Sequence, residues 1–116
     1  MQAAKKLMPG EIPTCIMEYI LKSLQDICYG QVILVAQDAQ LVEVERREKL
    51  RLADWKRYYE KVLLTTAAQK CLSRRICQSF SHLRYGQLVI VVKNGKIVQI
   101  ELTEKYHFTG LEGEGI

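Results

Sequence analysis

The feature that most constrains this chain is that it is written twice. Residues 15–52 reappear as residues 71–108, displaced by 56 positions and without a gap. Eleven of the 38 matched positions are identical, among them Cys15/Cys71, Ile20/Ile76, Ser23/Ser79, Val35/Val91, Val42/Val98, Glu45/Glu101, Glu48/Glu104 and Lys49/Lys105. The longest identical run is Tyr29-Gly30-Gln31, which returns as Tyr85-Gly86-Gln87. Most other pairs keep their character, as in Leu24/Phe80, Ile27/Leu83, Leu34/Ile90 and Val44/Ile100. Two copies are too few for a solenoid, which needs at least about three repeats to bury a continuous core. A pair related by an approximate two-fold axis, each copy covering the other's apolar face, is the expected outcome.

Each copy reads as a helix followed by two strands. In the first, Pro13-Thr14 opens a helix whose stripe is Ile16, Ile20, Leu24 and Ile27, widened by Met17 and Leu21. Gly30 is expected to stop it by adopting a left-handed conformation. Gln31–Gln37 is apolar on both faces, as in a buried strand. Asp38-Ala39 is the turn, and in the strand that follows Val42 and Val44 are expected on one face, Glu43 and Glu45 on the other. The second copy has Asn94-Gly95 at the turn, a strong hairpin signal because both central residues need positive φ. Ala39 replaces that glycine in the first copy at a cost of about 1 kcal/mol if held at positive φ, so another turn type or a longer loop is expected there. Between the copies, Trp55, Tyr58, Tyr59, Val62 and Leu63 fall on one helical face, predicting a linker helix over 53–65. Thr66-Ala-Ala-Gln69 fits a capping box for a new helix carrying Leu72, Ile76, Phe80 and Leu83; one long helix bent near Thr65-Thr66 is the alternative.

The predicted fold class is therefore α+β: a duplicated α-β-β unit forming a pseudo-two-fold four-stranded antiparallel sheet with helices packed on one face. The 116 residues form a single domain of two repeats, about 13–52 and 66–108. Residues 1–12, with the turn signal Pro9-Gly10, and 109–116, with three glycines in eight residues, are expected to be flexible tails. A two-stranded hairpin alone is marginal in water, so pairing of the copies is what would stabilise both.

Composition excludes little. No apolar run approaches the roughly 18 residues of a membrane span, and the N-terminal residues lack a signal-peptide core. The four cysteines, Cys15, Cys28, Cys71 and Cys77, form no Cys-x-x-Cys pair, and only His82 and His107 are available to complete a metal site, so the sequence gives zinc little support. Reduced, buried thiols in a cytoplasmic protein are the expectation, with a disulfide or redox role the alternative.

The pattern Leu24-Gln-Asp-Ile-Cys-Tyr-Gly-Gln-Val, with Val98-Gln-Ile-Glu-Leu-Thr-Glu-Lys105 in the second copy, resembles the YezD-like family of small uncharacterised bacterial proteins, a domain of unknown function present here as two tandem copies. The resemblance covers about 15–52 and 71–108 and departs from the pattern at Ala39 and Arg47. It implies a bacterial cytoplasmic protein whose single-unit relatives dimerise, and it transfers no activity.

Candidate residues follow from the repeat and from charge. Tyr29, Gly30, Tyr85 and Gly86, with Glu45 and Glu101, are ligand or interface candidates. Symmetry could bring the two glutamates together, and close carboxylates can share a proton or hold a metal; ion pairs on a solvated strand face are the plainer reading. Residues 46–61 carry seven Lys/Arg against three Asp/Glu, the whole formal charge of +4. Arg46, Arg47, Lys49, Arg51, Lys56 and Arg57 are therefore nucleic-acid candidates, interleaved with aromatics that could stack on bases; because the aromatics share one helical face and the basic groups the other, a core-packed linker helix with a solvated basic side is the plainer reading, and an anionic membrane surface is a further one. The sequence assembles no catalytic set, metal site or cofactor motif. The expected function is a non-enzymatic binding or interaction module, a fused pseudo-dimer whose partner is itself or another protein. Nucleic-acid binding is the alternative, and a ligand site or enzyme at the repeat interface a third reading.

Overall fold

In the computed structural model, residues 7–50, 52 and 65–106 are described. The expected linker helix, the C-terminal tail, His107, Arg51, Lys56 and Arg57 lie outside the described residues. The elements are α1 (Thr14–Asp26), β1 (Gly30–Gln37), β2 (Gln40–Glu48), α2 (Thr66–Ser81), β3 (Gly86–Lys93) and β4 (Lys96–Glu104). The four strands form one antiparallel sheet in the order β2-β1-β3-β4. The duplicated α-β-β unit and the α+β class are thus as read from the sequence.

The register of the central pair fixes the symmetry. Ile33 of β1 lies opposite Val89 of β3, and these two are each other's matched positions in the repeat. Gly30 faces Val92 and Ala36 faces Gly86, and each of these pairs is the repeat image of the other. The pseudo-two-fold axis therefore passes between Ile33 and Val89, normal to the sheet.

Alternation along the strands sorts the residues into two faces. Val32, Leu34 and Ala36 with Leu88, Ile90 and Val92 join Met17, Ile20, Leu24 and Ile27 from the first helix region and Ile76, Phe80 and Leu83 from the second in one buried core. Both helices thus pack on one face of the sheet. Burying such side chains contributes roughly 1.5–3 kcal/mol each. On the opposite face Ile33 and Val89 are also buried, at 4% and 6% exposure, so the central strands are apolar on both sides.

Several local details differ from expectation. The first hairpin keeps the same two-residue turn as the second: Asp38 and Ala39 have φ of 56° and 64°, Asn94 and Gly95 of 54° and 73°. Ala39 tolerates this because both its backbone groups are held. Its N–H donates to the Arg84 carbonyl at 2.9 Å, and its carbonyl accepts from the Gly10 N–H at 2.8 Å. Residues 7–12, expected to be loose, are accordingly tied to this turn, with the Gln40 side chain donating to the Leu7 carbonyl at 2.9 Å and Ile12 packed on the core. A bulge in each hairpin makes Val42 and Val98 the extra residues, so Val42 is half exposed rather than sharing the core face with Val44. The helix cap falls on Thr65, whose hydroxyl accepts from the Ala68 N–H at 3.1 Å, one residue before the expected box. Of the cysteines only Cys28 is buried; Cys15 and Cys71 are exposed and Cys77 is half-buried, all four with free thiols. The apolar stripe of each helix lies elsewhere, on the face that carries Ile20 or Ile76.

Gly30 and Gly86 do not stop the helices. α1 ends at Asp26 and α2 at Ser81, and each glycine is the first residue of its strand. Their role is close approach: a Cβ on Gly30 would lie 2.1 Å from the Arg47 carbonyl oxygen, and one on Gly86 1.9 Å from that of Thr103. Replacing Ala39 by glycine is expected to raise the denaturant midpoint, by about 1 kcal/mol of stability, with the slope unchanged. Gly30→Ala and Gly86→Ala should each cost more than about 2 kcal/mol, since the neighbouring strand must move. Gly95→Ala, which meets nothing within 4 Å, should cost only about 1 kcal/mol for its positive φ.

Candidate functional site

The two Tyr-Gly-Gln joints are held by hydrogen bonds from both copies. Within each copy, the chain leaving the hairpin returns to the joint: the Lys49 N–H donates to the Tyr29 carbonyl at 2.8 Å and the Lys105 N–H to that of Tyr85 at 2.7 Å. Across the copies, the turns are exchanged. The Gly95 N–H donates to the Cys28 carbonyl and the Ala39 N–H to the Arg84 carbonyl, both at 2.9 Å. Each hairpin tip therefore closes the other copy's joint.

This exchange puts the two joints at opposite ends of the β1–β3 pair, as Gly30 facing Val92 and Gly86 facing Ala36 require. Tyr29 and Tyr85 consequently do not line a shared interface site; each lines a cleft of its own. The first cleft, of about 590 Å³, is formed by residues 29–31, 47–49 and 91–93. The second, of about 350 Å³, is formed by residues 85–87, 35–37 and Lys105, at positions that match the first. Both clefts take residues from both repeats. Sequence reasoning found the joints but missed Lys93, because the antiparallel crossing that brings the end of β3 to the first joint leaves no local signal.

At the second joint the Tyr85 hydroxyl donates to Asp38 Oδ1 at 2.8 Å, linking the joint to the other copy's turn by a side-chain bond. The bond needs the phenolic proton, so Asp38 pushes the Tyr85 pKa above its ordinary value of 10.0, helped by partial desolvation.

The glutamate pair expected from symmetry does not form. Glu45, Ile33, Val89 and Glu101 are successive residues of one row across the sheet. Three strand spacings of about 4.8 Å put the two glutamates roughly 14 Å apart. Glu45 instead accepts from Arg47 Nε at 2.6 Å, and Glu101 accepts from the Gln99 side chain. Two carboxylates so separated can neither share a proton nor chelate one ion. Among the described residues no group of three or more His, Cys, Asp or Glu could hold a metal.

The basic candidates divide between faces. Arg46 stands opposite Val32, on the helix side, and pairs with Glu48 at 2.8 Å and Asp26 at 3.7 Å. The hydrogen bond to Glu48 raises its already high pKa, outweighing burial. Arg47 is on the opposite face with Glu45. Lys49 lies past the end of β2, and neither Lys49 nor Lys93 belongs to an ion pair among the described residues. His82, exposed, caps the C-terminal end of α2. No described helix is long and apolar enough to cross a membrane.

The Tyr85–Asp38 bond sets a pH dependence. Because the folded pKa is raised, its contribution is fully present below the ordinary value and is lost as pH rises through the raised one. In tyrosine-ring carbon NMR, Tyr85 should deprotonate above pH 10 and return toward the ordinary value in Asp38→Ala.

No curated protein and no solved structure matches the chain. A family model described as "Uncharacterized small protein" matches it twice, over residues 16–52 and 72–108, which are the two repeats and more than half of the chain. The chain belongs to this family, DUF2292, in two tandem copies.

Proposed function

We infer that the protein is a small non-enzymatic binding module, a fused pseudo-dimer whose working surfaces are the two clefts at the repeat joints. The observation that carries this reading is that each cleft combines a joint and strand end of one copy with a strand end of the other. A single copy makes neither cleft, so the paired arrangement is what creates a surface able to receive a partner. The partner is a ligand, another protein or a further copy of the chain. A cytoplasmic setting agrees with four free thiols, since such thiols persist in reducing compartments.

The nucleic-acid reading is the weaker one. Arg46 and Arg47, at consecutive strand positions, face opposite sides of the sheet. They do not combine into one cationic stripe of the kind that tracks a phosphate backbone.

The reading requires that the copies depend on one another. Residues 66–108 expressed alone should be a dimer that reforms the central ladder about Val89, and it should unfold as it dissociates on dilution. Analytical ultracentrifugation with circular dichroism across a dilution series checks this. A folded monomer at low concentration would remove the pseudo-dimer as the functional unit.

A further inference from the structure

The two clefts are the same backbone built twice, so the side chains that differ between them show how they diverged. The residue matched to Lys93 in the second cleft is Gln37, and the residue matched to Arg47 is Thr103, which does not line the second cleft. Lys49 is matched by Lys105, so one cation is common to both. The first cleft therefore adds two positive charges to the shared one, and they come from different copies: Arg47 from the end of β2, Lys93 from the end of β3. We propose that the first cleft binds a small phosphate-bearing anion, through Arg47, Lys49 and Lys93 beside Tyr29, and that the second does not.

The state of each cation fits this role. Arg47 donates through Nε to Glu45 at 2.6 Å, a bond that fixes the guanidinium but does not use its two terminal amino groups. A planar guanidinium anchored on one edge presents the other for bidentate contact with an oxyanion. Lys49 and Lys93 form no ion pair among the described residues. The carboxylate that also lines the cleft, Glu48, is occupied by Arg46 at 2.8 Å, so it opposes an incoming anion less than a bare carboxylate would. Tyr29 supplies a ring beside the charges. The volume of about 590 Å³ is in the range of small-molecule sites, roughly 300–1,000 Å³. A polynucleotide is disfavoured because the cations gather at one end of the sheet, while Glu43 and Glu45 occupy the same face of β2 beyond them.

This inference rests on the clefts being binding surfaces, and the duplication supplies its control. Inorganic pyrophosphate is titrated into the full chain while backbone amide shifts are followed by NMR. Saturable shifts are expected around Tyr29–Gln31, Arg47–Lys49 and Lys93, with Tyr85–Gln87 and Thr103–Lys105 unmoved. The double variant Arg47→Thr/Lys93→Gln installs the residues found at the two matched positions, and it should weaken binding about tenfold or more. The reverse exchange, Gln37→Lys/Thr103→Arg, should create saturable shifts at the second cleft. Both variants install residues found at the matched position, and retained amide dispersion verifies their folding. Shifts of equal size at both clefts in the unaltered protein would overturn the charge assignment while leaving the clefts as binding surfaces. No saturable shift at the first cleft would overturn the proposal outright. So would binding of a short single-stranded oligonucleotide without binding of pyrophosphate, which would favour the polymer. The reading beneath it fails separately, by a folded monomer of residues 66–108.

Discussion

Everything in this molecule depends on the antiparallel ladder between β1 and β3. Each copy's hairpin exposes the inner edge of its apolar strand, β1 or β3, and one apolar face, and neither can be left in water at little cost. Pairing β1 with β3 about the point where Ile33 meets Val89 satisfies these two inner edges at once. It also aligns the apolar rows Val32-Leu34-Ala36 and Leu88-Ile90-Val92 into one surface that both helices cover. A shift of the ladder by one residue would turn every core side chain to the other face. The register is thus fixed by the core, and the symmetry of the protein follows from the register.

The same ladder explains why the joints are closed by the opposite copy. In an antiparallel pair the start of one strand lies beside the end of the other, so the turn leaving β3 must reach the joint entering β1. Two hydrogen bonds from turn amides to the Cys28 and Arg84 carbonyls record this exchange. Even an alanine side chain is barred from the joints by the neighbouring strand, and positive φ is accepted at Ala39 because its N–H and carbonyl are both engaged. The clefts are a by-product of that geometry, and the charges in one of them are where the two copies have parted.

Much of the fold was legible because it is local. The stripes Ile16-Ile20-Leu24-Ile27 and Leu72-Ile76-Phe80-Leu83, the apolar strands and the Asn94-Gly95 turn each announce themselves within a few residues. What was not legible depends on distance. Gly30 sits where a helix-stopping glycine would, and only the nearness of the Arg47 carbonyl shows its other purpose. Glu45 and Glu101 are matched in the sequence, yet a two-fold axis between the central strands places matched residues of the outer strands far apart. Lys93 had no repeat partner of like charge and belonged to the wrong copy, so nothing in the chain linked it to Tyr29. The family match describes the same duplication and adds no activity.

With the β1–β3 ladder as the common support, neither copy is a folding unit without the other. Native-state hydrogen exchange at rising denaturant concentration tests it most directly, because it reads the opening of each segment separately. Amides of the β1–β3 ladder, together with those of the hairpins and helices on either side, should converge on one opening free energy equal to that of global unfolding. Opening of one copy's helix and hairpin at a distinctly lower free energy, while the other copy keeps its protection, would contradict it.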